Sequence, residues 1–124
     1  MDSKAMYKRY TQLTWQKQLG NLASTLARIS SHANSAESDK IVTASLREAA
    51  LLLEWSAPHV PADFLLELAA MQREVLAWHR AWPIDEARHL LSLHTRNQAD
   101  RLLQIAGLLA SQSQATIVLE TTVA

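Results

Sequence analysis

The chain has no cysteine, and only two glycines and three prolines among its 124 residues. Without thiols there is no disulfide framework, no thiolate metal site and no cysteine nucleophile. So few turn residues argue against an all-β fold, because hairpins and sheet corners draw on glycine and proline repeatedly. An excess of one charge is also missing, with 12 Lys and Arg balancing 12 Asp and Glu. Residues 1–34 lean basic and residues 35–82 lean acidic. No basic stripe follows the chain in the way a phosphate backbone requires, so nucleic acid is not an expected partner. Long apolar runs are lacking too. Ala49–Leu53 and Ile105–Ala110 (counting Gly107) fall far short of the ~20 residues a membrane span needs. The opening Met1–Tyr10 has no apolar h-region, so the expectation is a cytoplasmic protein with neither signal peptide nor membrane partner.

What the chain does have is an apolar fraction of 48 %, enough for an ordinary core in one domain. Two apolar seams organise it. Trp15, Leu19, Leu22, Leu26, Ile29 and Ala33 form the first, and Phe64, Leu68, Met71, Val75, Trp78 and Trp82 the second. Steps of four and three keep one stripe of a helix facing a partner. The first seam predicts a helix over Met6–Ala33. A polar link follows, in which Ser38 is placed to cap the next helix and Asp39 to complement its positive end. Val42, Leu46, Ala49 and Leu53, widened by Ile41, Leu52 and Trp55, predict a second helix over Asp39–Ser56. Pro61 suits a first helical position and starts a third helix ending at Ala81. Pro83 starts a fourth, running to Gln112 through Ile84, Ala87, Leu91, Leu102, Ile105 and Leu109. One long helix kinked at Pro83 is the alternative.

The expected fold is therefore all-α, a four-helix up-down-up-down bundle over residues 1–115. Residues 116–124, rich in β-branched side chains, read as an extended or disordered tail. The predicted helices differ in length. With their upper ends aligned, the start of the first and the end of the fourth project beyond the other two. That overhang would expose Met6, Tyr7, Tyr10, Ile105, Leu108 and Leu109, so a homodimer through this end is expected.

Chemistry is thin. Glu86-Ala-Arg-His89 matches half of a di-iron bundle motif but has no second copy, and its phase turns His89 away from the core. No two histidines have the i, i+4 spacing of a helical zinc site. Phosphate loops, nucleophile elbows and paired core carboxylates are also missing from the sequence. The reading therefore expects no enzyme, no metal and no cofactor. His94 and Gln98 interrupt the apolar stripe of the fourth helix, at the level of Met71 and Gln72 on the third and of alanines on the others. These four residues are the candidate ligand site. The pattern resembles small bacterial helical bundles, and no motif in it transfers a function. The leading expectation is a non-enzymatic protein–protein interaction or assembly module acting on a protein partner or on itself. A small-molecule or cofactor-binding bundle centred on His94 and Gln98 is the alternative.

Overall fold

The computed structural model describes residues 3–107. Among them the fold is all-α, with five α-helices and no strand. They are α1 (Ser3–Thr11), α2 (Trp15–His32), α3 (Asp39–Ser56), α4 (Leu65–Ala81) and α5 (Arg88–Ile105). Single 3₁₀ turns lead into the last three, at Ala36–Ser38, Ala62–Phe64 and Asp85–Ala87. The expected tail at 116–124 and the end of the fourth helix beyond residue 107 lie outside the described residues.

The first predicted helix is broken. The chain turns at Thr14, whose backbone is extended (φ −62°, ψ 156°) and whose Oγ1 accepts the Lys17 N–H at 3.3 Å. The physical reason lies in register. Met6, Tyr10 and Leu13 share a helical stripe of their own, and at 100° per residue that stripe falls opposite the Trp15–Ala33 seam. One straight helix would bury one stripe and expose the other. Breaking at Gln12–Thr14 lets α1 lie against α3 while α2 keeps its seam inside. Leu19, Leu22, Leu26, Ile29 and Ala33 are all fully buried.

The projecting two-helix overhang is corrected by this turn. Tyr10 is only 5 % exposed and Ile105 8 %, both inside the chain's own core. Met6 is half-buried, and Tyr7 packs its ring edge-on against Trp55 at 5.3 Å between centroids. Leu108 and Leu109 lie outside the described residues. Tyr7 itself remains 49 % exposed at this end.

α2 packs closely on α5 and on α3, α3 packs on α4, and α4 meets α5 through longer side chains. Small residues allow the α2–α5 approach. Ser30 Oγ donates to the Ser92 carbonyl at 2.7 Å, and Ser92 Oγ returns a bond to the Ser30 carbonyl at 2.8 Å. The alanines expected to leave mid-core space, Ala23, Ala49 and Ala50, are instead buried by close helix contact.

Other boundaries differ in smaller ways. Ser38 makes no capping bond and lies 3.4 Å from His32 Nδ1, because the 3₁₀ turn before α3 supplies the entry. Ile41, expected to widen the α3 stripe, is 48 % exposed. Helices α4 and α5 are separate. α5 ends well before Gln112, since Gly107 takes φ +80°, the left-handed position where a helix stops and glycine is favoured.

The upper end of the fold is tied by one arginine. Arg88 makes a two-pronged contact with Asp39 (2.7 and 3.0 Å), reaches Asp85 at 2.7 Å and donates to the Ala33 carbonyl at 3.2 Å. Its guanidinium also lies over the Trp82 ring, 5.2 Å from the centroid. One side chain therefore joins the end of α2, the start of α3, the end of α4 and the start of α5. The Arg88 guanidinium holds the Asp39 carboxyl below the ordinary carboxylate range, and the nearby Trp82 indole adds to the lowering.

Candidate functional site

The helices α4 and α5 do not approach as closely as the other neighbours, and their seam is bridged by long polar side chains. Three residues of α4 that share a face, Glu67, Glu74 and Trp78, look across to α5. Near the lower end Arg101 donates to Glu67 through two nitrogens, with Nη2 to Oε1 at 2.9 Å. That hydrogen-bonded guanidinium lowers the Glu67 carboxyl from its ordinary value. In the middle, Gln98 Nε2 donates to Glu74 Oε2 at 3.0 Å, and His94 Nε2 stands 2.9 Å from the same oxygen. The His94 contact has the distance of an ion pair without a hydrogen-bond alignment. Above it, His94 and Trp78 are 6.4 Å apart between ring centroids.

The sequence-predicted site is thus only partly assembled. His94 and Gln98 come together, but on Glu74, which the sequence reading missed. Its signal was its position one turn before Trp78, on the edge of the seam that faces His94. Met71 is buried in the core of α4. Gln72 turns the other way and donates to the Ala50 carbonyl of α3 at 3.1 Å. Gln98 is 5 % exposed, and its Oε1 is buried without a partner.

The space beside His94 is an open groove of about 400 Å³, lined by Glu74, Ala77, Trp78, Leu90 and His94. Its walls are mainly apolar. Leu90 and, one turn on, Leu93 stand 60 % and 50 % exposed along this side of α5. Leu66, near the other end of the same side of α4, is 87 % exposed. The arrangement offers an apolar surface with a carboxylate and an imidazole in its lining and the buried Gln98 amide bonded to that carboxylate. The groups are not placed for catalysis in a recognisable pattern, and no cluster of three metal-ligating side chains occurs among the described residues. His89 is solvent-exposed, as its phase predicts. No helix among the described residues is long and apolar enough to cross a membrane. In comparisons with known proteins, no family model matches the chain, and no curated protein or solved structure matches it.

Proposed function

We propose that this chain is an up-down-up-down bundle of four long helices braced by α1, and that it works as a non-enzymatic protein–protein interaction module. It assembles with itself through the outer side of α4 and α5. The observation that carries this reading is the exposure of Leu90 and Leu93 beside the groove at Trp78. A single exposed leucine is ordinary, whereas leucines gathered beside an apolar groove are what an interface presents. Light scattering behind a sizing column tests it. The wild type is expected at a multiple of the one-chain mass, and Leu90→Glu with Leu93→Glu at the mass of one chain with an unchanged helical spectrum. A one-chain mass for the wild type up to near-millimolar concentration overturns self-assembly.

A second reading rests on the unpartnered Gln98 Oε1 next to His94. A small ligand with a hydrogen-bond donor, entering along the groove, would satisfy that oxygen. Saturable shifts of the His94 ring and Gln98 side-chain resonances on titration would support it, and their absence across polar small molecules would remove it.

A further inference from the structure

On the opposite side of α4 a different surface is built. Lys40, Thr43, Ala44, Arg47, Leu51 and Glu54 share one face of α3, each three or four residues from another of the set. Gln72, Leu76 and His79 of α4, and Pro83 beyond it, run along the facing side. Between them lie two adjoining grooves of about 520 and 410 Å³, which share Arg47 and His79. Together they extend over the span of Lys40 to Glu54, on the order of 20 Å at 1.5 Å per residue.

The charges along this groove are sorted. Asp39, Lys40, Arg47 and His79 border its upper part, and no carboxylate among the described residues pairs with Lys40, Arg47 or His79. The acids of α3 that lie near are committed elsewhere, Asp39 to Arg88 and Glu48 to Arg28. The lower part is lined by Ala50, Leu51 and Leu76, with Gln72 tied to the Ala50 carbonyl and Glu54 at the border. Lys40 and Arg47 at one end, where the Asp39 carboxylate is taken up by Arg88, hydrocarbon next, and the Glu54 carboxylate at the far end give the groove a direction.

We propose that this groove binds a single-chain anionic amphiphile, a carboxylate or phosphate monoester on a hydrocarbon tail. The head lies among Lys40, Arg47 and His79. The tail runs down over Ala44, Leu51 and Leu76, and Glu54 repels a head bound the other way round. A guanidinium forks onto carboxylate or phosphate oxygens, and the flexible lysine adds a point charge. Covering the exposed part of Leu76 and the alanine floor supplies the apolar share of the affinity. The site is separate from the α4–α5 surface and does not depend on self-assembly there.

The test is a two-dimensional NMR titration of the whole chain with decyl phosphate and decanoate below their micelle concentrations. Saturable amide shifts are expected over residues 40–51 and 76–83, with binding at least tenfold weaker in Arg47→Gln combined with His79→Gln. Butyl phosphate is expected to bind the wild type at least tenfold more weakly than decyl phosphate, a comparison that needs no variant. Phosphatidic acid in vesicles, compared with free decyl phosphate, separates a bilayer lipid from a free amphiphile as the source. Equal binding of decyltrimethylammonium, shifts centred on Leu90 and His94, or an unchanged affinity in the double variant overturns the proposal.

Discussion

Tyr10 Oη lies 2.6 Å from Ser56 Oγ, joining the short α1 to the end of α3 across 46 residues of sequence. The same phenol oxygen is 2.7 Å from the Gln18 carbonyl and donates to it. Two protons serve three short contacts: Tyr10 donates to the Gln18 carbonyl, Ser56 Oγ donates to the Leu52 carbonyl at 2.7 Å, and the Tyr10–Ser56 contact shares one of these protons. The Gln18 amide returns two bonds, to the Tyr10 and Leu13 carbonyls at 3.2 and 3.3 Å. At the turn the Tyr10 carbonyl keeps only a tight-turn bond from the Leu13 N–H at 3.1 Å, and the Gln18 amide adds to it, so the network closes the end of α1.

Alkaline titration reports on this network directly. Burial pushes the Tyr10 hydroxyl up to about 12 from an ordinary 10.0, against a smaller opposing effect of the Ser56 bond. The unfolded chain therefore loses this proton first. Stability from Tyr10 is fully present below pH 10 and declines as pH rises toward 12, by roughly 2–3 kcal/mol in total. Denaturant unfolding of Tyr10→Phe between pH 8 and 12 is expected to show a flatter alkaline decline. At neutral pH the same variant is expected to be less stable by about 1 kcal/mol, with faster hydrogen exchange in α1.

How far the sequence carried the fold depends on whether a feature is local. The two seams, the α3 and α4 spans and the break at Pro83 follow from periodicity and from proline, both written in neighbouring residues. The turn at Thr14 was legible in principle, because the Met6–Leu13 stripe is out of phase with the seam. The helical character of the segment as a whole masks it. Gly107 sits inside an apolar run in the sequence, yet its freedom to take φ +80° makes it a stop. The site was harder. His94 and Gln98 were visible as polar residues in an apolar stripe, but their partner Glu74 depends on how far α4 and α5 stand apart. Nothing local in either helix encodes that spacing.

Arg88 offers a test of the upper end. Its fork onto Asp39 and Asp85 and its position over Trp82 need a planar guanidinium. Arg88→Lys is expected to lower the melting temperature, and Arg88→Ala to lower it further. The Asp39 carboxyl is held below its ordinary value, so its contribution is present above that value and is lost as pH falls through the folded one. Thermal melts of Asp39→Asn from pH 7 to pH 2 are expected to show a lower starting stability and a shallower acid decline than the wild type.

The end of α5 tests the role of Gly107. An added Cβ would meet nothing within 4 Å, so any penalty for a side chain comes from the backbone at φ +80° alone. Gly107→Ala is expected to destabilise by about 1 kcal/mol, and Gly107→Asn by less, since asparagine tolerates the left-handed region. Equal stabilities in urea would show that the helix end relaxes to another conformation.

Gln98 sets the α4–α5 seam against the core beneath it. Its amide nitrogen serves Glu74, which is half-exposed and can turn to water instead, while its Oε1 is buried with nothing to accept. An unsatisfied buried polar atom carries a desolvation penalty of about 1–3 kcal/mol, larger than the net worth of one hydrogen bond to a solvated carboxylate. Gln98→Met keeps the shape and removes both polar atoms. It is expected to raise stability by about 1 kcal/mol in chemical denaturation, while Glu74→Gln changes it by less than about 0.5 kcal/mol. If Gln98→Met instead lowered stability by that amount, the Gln98–Glu74 bond would be holding α4 and α5 at their spacing. The groove at Trp78 would then be maintained by that bond and not by the packing of Leu91 and Leu102 below it.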